Sequence, residues 1–237
     1  MIAGAARVRS PRRALPLRVP LLLAGLLALA AFGLDTFEAL RHPYLPFDVP
    51  VARAMQAVPW GPVAAAFAFV DWFEGIRQVA FAIAGLLLVA LVHRRAAPLV
   101  LVAALSGLAY SATEQLVARP RPPAGLVHVV RHTAGFSYPS GHAVFFSCFV
   151  PLLILALVRP RLPPAFVWAG GLAALAMLLL AGVGRVAVGE HWPSDVLGGV
   201  ALGLGWAALA LSVRRLSDPV LQRRPGTRRR GPARLWG

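Results

Sequence analysis

The chain has 237 residues, of which 58% are hydrophobic and 14% are charged, and its mean hydropathy is +0.69. A soluble domain carries roughly a quarter charged residues, so this composition excludes an ordinary soluble protein and indicates one that resides in lipid. The single cysteine, Cys148, excludes an internal disulfide and a metal site of the CxxC type.

Six apolar windows come close to the length of about 20 residues that a helix needs to cross the hydrocarbon core of a bilayer. They cover residues 17–34, 75–92, 97–118, 143–158, 164–183 and 196–213. We therefore predict an all-α, polytopic membrane protein with six transmembrane helices.

The first window has a second interpretation. Basic residues precede it and Ala28-Leu29-Ala30 lies within it, as in a cleavable signal peptide, and cleavage would leave five spans. Its apolar stretch is long for a signal sequence, so we expect a retained helix.

The distribution of the arginines along the chain predicts how the spans are oriented in the membrane. All 24 basic residues are arginine, and 17 of them lie in residues 1–18, 93–96, 159–163 and 214–237, whereas eight of the nine acidic residues lie on the other side. Cytoplasmic segments carry such an excess of basic residues, so we place both termini in the cytoplasm. We attribute the net charge of +15 to this bias and to contact with anionic lipid head groups, not to nucleic acid.

The chain then divides into a basic N-terminus (1–16), a six-span domain (17–213) and a basic tail (214–237) that we expect to be disordered. In the outer loop, residues 51–58 fit a short amphipathic helix at the interface and a plain connector equally well. Gly199 and Gly203 form a GxxxG pattern, which permits close packing of the last span.

Three polar segments at the ends of apolar windows contain the chemically capable residues: 119–122, 138–142 and 184–195. The arginine bias places all three on the extracytoplasmic side, at the ends of spans 3 to 6. Charged groups are costly at bilayer depth, so polar groups gathered there indicate a functional site.

In the second segment, Ser140 is a good N-cap and predicts that the fourth span begins there. The free backbone N–H groups of a helix start form an anion site, and Gly141 lets an anion approach the backbone. His142 is then placed to give a proton to a leaving oxygen. A plain helix cap with a surface histidine is the alternative.

In the third segment, Arg185, His191 and Asp195 precede or begin the last span. A carboxylate at Asp195 is able to accept the proton on one ring nitrogen of His191, which leaves the other nitrogen free to attack phosphorus. The planar guanidinium of Arg185 is suited to phosphate oxygens. The alternative is an interfacial cluster of paired charges.

The first segment alternates Arg119 and Arg121 with prolines, which stop the third helix and stiffen the chain. We expect both arginines to reach the same outer vestibule. Taken alone, they also fit a pair of side chains at the lipid head groups.

Together, the three segments resemble the motifs of the type-2 phosphatidic acid phosphatase family. That family's pattern is Lys, six residues and Arg-Pro; then Pro-Ser-Gly-His; then Ser-Arg, five residues, His, three residues and Asp. Here the second motif is complete at 139–142, and the third matches at Arg185, His191 and Asp195. The first matches at Arg121-Pro122.

The resemblance implies a role for each matching residue. His191 would be the nucleophile that forms a phosphohistidine, Asp195 would orient it, and His142 would act as acid and then as base. The phosphoryl oxygens would be bound by Arg121, Ser140, Gly141 and Arg185. The family uses no metal or other cofactor, so none is expected.

Two positions depart from the pattern. Glu114 stands in place of the family's Lys, and Gly184 in place of its Ser. An unpaired carboxylate at a span end is costly, so we predict an ion pair between Glu114 and Arg119.

The sequence thus predicts a multi-pass phosphatase of the cell membrane, with its site outside, acting on a lipid phosphate or diphosphate. On the grounds of the family resemblance and the topology, we favour undecaprenyl diphosphate as the substrate, with phosphatidylglycerophosphate and phosphatidic acid as alternatives. A phosphotransferase on the same scaffold and a non-enzymatic membrane protein with a degenerate site are the rival hypotheses.

Overall fold

The computed structural model describes residues 17–222 and places eleven α-helices and one π-helical segment within them. In chain order these are α1 (Val19–Arg41), α2 (Asp48–Gln56), α3 (Val63–Asp71), α4 (Ile76–Val92), α5 (Ala97–Ala104), α6 (Ser106–Val117), α7 (Gly141–Val144), the π-helical segment (Phe145–Phe149), α8 (Val150–Val158), α9 (Pro164–Ala187), α10 (Pro193–Ser212) and α11 (Arg214–Leu221). The expectation of an all-helical protein is confirmed for these residues.

Five continuous helical segments are long and apolar enough to cross a membrane. They are α1, α5–α6, the segment from α7 to α8, α9 and α10. The helices α3 and α4 meet at an angle of 72°, and they make a sixth span only if the bent pair crosses as one unit. The expected multi-pass membrane protein is therefore supported, and residues 17–222 contain five or six candidate spans.

The outer loop is more ordered than its composition suggested. Helix α2 forms close to the stretch 51–58, where a short helix was one of two interpretations. Helix α3 was not anticipated, because its nine residues are too few to span a bilayer and their apolar run merges with the next window. Gly75, with φ +57°, separates α3 from α4.

The segment from α7 to α8 is the most buried of the five spans and forms the centre of the bundle. Its phenyl rings stack on one another, with the centroids of Phe145 and Phe149 at 5.3 Å. Gly199 and Gly203 of α10 face this segment so closely that a β-carbon at Gly199 would lie 2.5 Å from the carbonyl oxygen of Ser140. The small residues of α10 therefore bring the last span against the start of the fourth.

At the opposite end of the bundle, the two ends of the described chain meet. Leu17 pairs with Val213 as an isolated bridge, and the guanidinium of Arg18 lies 2.6 Å from the carboxylate of Asp218. Residues 214–221 form a helix, so the tail expected to be disordered is helical where it begins. The predictions for residues 1–16 and 223–237 lie outside the described residues.

Candidate active site

His191 lies in the short turn between α9 and α10, and its side chain is almost fully buried. Its Nδ1 atom is 2.7 Å from the backbone carbonyl oxygen of Ser137. A carbonyl can only accept a hydrogen bond, so Nδ1 carries the proton and Nε2 carries the lone pair. The ring is therefore held as the tautomer that a nucleophile at Nε2 requires.

Asp195 does not make the hydrogen bond to His191 that the sequence suggested. The shortest distance between Asp195 Oδ2 and His191 Nδ1 is 3.7 Å. Its oxygens are already occupied by other donors: the backbone N–H of Trp192 at 2.7 Å, the hydroxyl of Ser137, and Arg119 Nη1 at 2.6 Å. Asp195 thus positions His191 indirectly: it holds Ser137, whose backbone carbonyl accepts the hydrogen bond from the ring N–H.

The helix that bears His142 begins as expected. Ser140 occupies the N-cap position, and Gly141 and His142 lie in the first turn. The Ser140 hydroxyl is buried and makes no capping bond, and no partner for it is present among residues 17–222. A buried hydroxyl without a partner destabilises the folded protein. A bound phosphate oxygen would remove this cost by accepting a hydrogen bond from the hydroxyl.

Arg185 joins this helix to the third segment. It lies in the last turn of α9, which extends four residues beyond the predicted window and so carries the guanidinium into the site. Arg185 Nη2 is 3.0 Å from His142 Nε2, and because arginine only donates, His142 accepts with Nε2. The predicted residues of the second and third motifs are therefore brought together.

Arg121, from the first motif segment, also lines the site. It donates to the backbone carbonyl of Glu190 at 2.9 Å and to that of Ala134 at 3.3 Å. Its guanidinium is thereby fixed next to His191 by two acceptors that carry no net charge. Arg121 keeps its full positive charge for an anion.

Glu190 is a buried carboxylate that the sequence analysis missed, although it directly precedes His191. It accepts from Arg185, from Arg131 and from the hydroxyl of Thr133 at 3.0 Å. Burial by itself raises the pKa of Glu190, but the hydrogen bond from Arg131 and the charge of Arg185 outweigh it and hold the pKa at about 2. Glu190 is therefore ionised at neutral pH.

Arg131 lies in the loop before the second motif, and its half-exposed side chain is ion-paired. Its guanidinium bonds to Glu190, lies 3.2 Å from Glu74 and lies 3.8 Å from Asp71. The hydrogen bond to Glu190 is the main reason that the pKa of Arg131 is raised. The outer loop before the second motif is thus attached to the site by a charged contact.

Arg119 does not share the vestibule with Arg121 and does not pair with Glu114. Helix α6 ends at Val117, and Ala118, with φ 48°, turns the chain so that Arg119 points inward. Its guanidinium is fully buried between Asp195 and Asp48, at 2.6 and 3.1 Å. The predicted ion pair is therefore replaced by a pair of buried carboxylates on other segments.

Asp48 and Ser194 complete this buried cluster, and no motif or spacing in the sequence pointed to either. Asp48 begins α2, accepts from the Ser194 backbone N–H at 2.9 Å and from its hydroxyl at 2.7 Å, and bonds to Leu45 N–H at 2.7 Å. Asp48 is 71 residues from Arg119 in the chain, so no local spacing links them. We name Asp48, Arg119, Ser194 and Asp195 the buried ion cluster.

Glu114 instead points toward the outer loop. A β-carbon at Gly135 would lie 3.3 Å from its Oε1 atom, and Glu114 lies close to the phenol of Tyr110. The ring of Tyr110 in turn packs on Gly141, where a β-carbon would be 3.0 Å from it. Glu114 is therefore separated from the start of the fourth span by an aromatic ring.

A cavity of about 490 Å³ opens beside these residues. Its polar end is lined by Glu74, Arg121, Gly141, His142, Arg185 and His191. The rest of its wall is largely apolar and comes from α4, α5, α6 and the π-helical segment, with Ile83, Leu108 and Phe149 among the lining residues. The cavity therefore has the form expected for an amphipathic ligand with an anionic end.

Comparison with known proteins gives the family. The model of the PAP2 superfamily matches residues 95–218, which include all three motif segments. The chain belongs to the PAP2 superfamily. Its fold is also similar to that of a PAP2-type transmembrane phosphatidylglycerolphosphate phosphatase from Bacillus subtilis, with a TM-score of 0.60 and 23% identity over 81% of this chain and 92% of that one.

Two curated relatives match this PAP2 chain over shorter stretches. Phosphatidylglycerophosphatase B of Bacillus subtilis is 38% identical over 80 residues, which are 31% of this chain and 36% of the relative. Lipid A 1-phosphatase of Rhizobium etli is 38% identical over 82 residues, which are 35% of this chain and 31% of the relative. The chain thus spans about a third of the length of the curated relatives it matches.

Proposed function

We propose that this protein is an integral-membrane lipid phosphatase that hydrolyses a lipid phosphate or diphosphate without a metal ion, through a phosphohistidine. One observation carries the proposal. His191 is held by the Ser137 carbonyl as the tautomer with a free Nε2, at the polar end of a cavity that also contains His142, Arg121 and Arg185.

The first step forms the intermediate. Nε2 of His191 attacks phosphorus, and the bond from phosphorus to the lipid oxygen or bridging phosphate oxygen breaks. Arg121, Arg185, the Ser140 hydroxyl and the amides at the start of the fourth span hold the phosphoryl oxygens and stabilise their charge. When Arg185 donates to phosphate, Nε2 of His142 is released, binds a proton from solvent and gives that proton to the leaving oxygen.

The second step regenerates the site. His142, now neutral, takes a proton from water, and the water oxygen attacks phosphorus while the bond to His191 Nε2 breaks. Inorganic phosphate leaves, and His142 returns its proton to solvent when Arg185 again donates to its Nε2, so both imidazoles regain their starting forms. The arginine bias of the sequence supports a site on the extracytoplasmic face of the cell membrane, with both termini in the cytoplasm.

Assays with a panel of lipid phosphates test which of them the protein hydrolyses. Undecaprenyl diphosphate is the sequence-based preference, phosphatidic acid is an alternative, and the names of the relatives support including phosphatidylglycerophosphate and lipid A. In detergent with EDTA present, we expect the wild type to release inorganic phosphate from at least one lipid. The His191→Ala variant should release none, and the His42→Ala variant should match the wild type.

Three other results would contradict this proposal. Release that disappears with EDTA would contradict the metal-free mechanism. A wild type that moves the phosphoryl group to an added alcohol such as glycerol in preference to water would be a phosphotransferase. A wild type as inert as His191→Ala on every lipid would favour the non-enzymatic interpretation.

Glu114 gives a further prediction. We expect Glu114→Lys to lower KM by about tenfold at most and to change kcat less, because Arg121 and Arg185 already supply the cations and Tyr110 stands between Glu114 and Gly141. Phosphate release over a range of lipid concentrations measures both constants. The neighbouring Gln115→Lys variant is the control for added positive charge.

A different result would change the interpretation of this site. If Glu114→Lys raised kcat by several hundredfold and Gln115→Lys did not, the missing family lysine would be an essential cation. The wild-type protein would then be a weakened phosphatase.

A further inference from the structure

Arg185, which the mechanism needs for phosphate, is already surrounded by carboxylates. Its Nη1 bonds to Glu190, its Nε lies 3.2 Å from Asp71, and its Nη2 lies 3.5 Å from Glu74 as well as 3.0 Å from His142. Two of these contacts are hydrogen bonds, those to Glu190 and His142, and the other two are ion pairs, since Nε makes no hydrogen bond among the described residues. A phosphate that binds Arg185 therefore competes with three carboxylates for the same positive charge.

Glu74 is the partner that is easiest to displace. Its side chain is 33% exposed, whereas that of Glu190 is completely buried and that of Asp71 is 16% exposed. Glu74 is also the one of the three that lines the cavity. It lies in the break between α3 and α4, next to the positive-φ Gly75, and outside the regular hydrogen bonding of both helices.

The charges around this end of the cavity balance. Asp71, Glu74 and Glu190 pair with Arg131 and Arg185, and with Arg121 included the three carboxylates and three arginines give a net charge of zero. A site with no excess positive charge binds a phosphomonoester, which carries up to two negative charges, less strongly than the arginines alone would. It opposes the additional charge of a diphosphate more strongly still.

We propose that Glu74 is a specificity-determining residue that competes with the substrate for Arg185 and Arg131 and so selects lipid phosphomonoesters over lipid diphosphates. This inference rests on the proposed phosphatase function and narrows it, since it opposes the sequence-based preference for undecaprenyl diphosphate. Glu74 touches no reacting atom in this scheme. It sets the charge that the site accepts.

The test compares two substrates that share one lipid chain, undecaprenyl phosphate and undecaprenyl diphosphate. The wild type should have the higher kcat/KM for the monophosphate. Glu74→Gln, which keeps the shape but removes the charge, should raise kcat/KM about threefold for the monophosphate and about tenfold for the diphosphate, mainly through KM. Glu38→Gln, an exposed carboxylate that pairs only with His42, should leave both values unchanged.

A second readout needs no turnover. Orthovanadate, an anion of phosphate shape, should raise the melting temperature of Glu74→Gln at about threefold lower concentration than it does for the wild type. Equal responses of the two proteins, or an unchanged ratio between the two lipids, would overturn the proposal. A wild type that binds vanadate but hydrolyses no lipid would instead contradict the phosphatase function, and the vanadate comparison would still decide the role of Glu74.

Discussion

Replacement of His191 by alanine is expected to lower kcat/KM for phosphate release by at least about 10⁴-fold, which is the scale seen when a covalent nucleophile is removed. The reason is geometric. The hydrogen bond from Nδ1 to the Ser137 carbonyl leaves Nε2 of His191 as the free nucleophile, whereas Nε2 of His142 is used to protonate the leaving oxygen. Without a phosphohistidine, water would have to displace the lipid oxygen directly.

Direct detection of the phosphohistidine intermediate is the decisive measurement. Wild-type protein mixed briefly with lipid carrying a radiolabelled phosphate and then quenched in alkali should retain label that acid releases, as a phosphorus–nitrogen bond requires. His191→Ala should retain none. His142→Ala should still be labelled by p-nitrophenyl phosphate, whose leaving group needs no proton, although it should turn over slowly.

Comparison of these two variants distinguishes the role of His191 as nucleophile from the role of His142 as acid. Label retained by His191→Ala at the wild-type level would show that another residue is the nucleophile. Equal loss of labelling in both variants with p-nitrophenyl phosphate would contradict the assignment of His142 as an acid, because the first step would then depend on both rings.

The second large effect is on stability. Arg119→Ala should lower the free energy of unfolding by about 3–5 kcal/mol, because it leaves Asp48 and Asp195 as buried carboxylates without a cation. Both acids and Arg119 have fully buried side chains, so water cannot replace the lost partner. Activity should fall as well, because Asp195 holds the Ser137 segment that orients His191.

Arg121→Ala is the matched control, since this arginine is two residues away and bonds only to backbone carbonyls. We expect it to raise KM strongly and to leave thermal unfolding in detergent nearly unchanged. A double variant, Arg119→Met with Asp48→Asn, should recover part of the stability, because the cluster then loses one charge of each sign. Equal melting temperatures for Arg119→Ala and Arg121→Ala would contradict a structural role for the buried ion cluster.

The fold was largely predictable from composition. Long apolar windows predicted the spans that became α1, α5–α6, α7–α8, α9 and α10, because only a helix satisfies its own backbone hydrogen bonds in lipid. The window 75–92 became α4, but α3 and its bent junction with α4 were not anticipated. The break depends on how Trp72-Phe73-Glu74-Gly75 packs against the rest of the bundle, and apolarity alone does not encode a bend.

The candidate site was predictable where motif residues are close together in the chain. Ser140, Gly141 and His142 start one helix, and Arg185, His191 and Asp195 flank one turn, so their spacing already placed them. The partner of His191 was not predictable in the same way. Asp195 was chosen from its spacing in the chain, but Arg119, Ser137 and the Trp192 N–H of its own helix start donate to its two oxygens. The Ser137 carbonyl accepts the hydrogen bond from the ring instead.

By itself the sequence determined the class of protein, the motif residues and the chemistry available to them, because these depend on composition and on short spacings along the chain. The pairing of the charges was decided only by the tertiary structure. Two arginines separated by one proline have opposite roles: Arg119 is buried with Asp48 and Asp195, and Arg121 lines the cavity. Each charge pairs with the nearest opposite charge in space. Asp48 and Glu74 reach Arg119 and Arg185 from distant segments of the chain, and Glu190 is likewise 59 residues from Arg131.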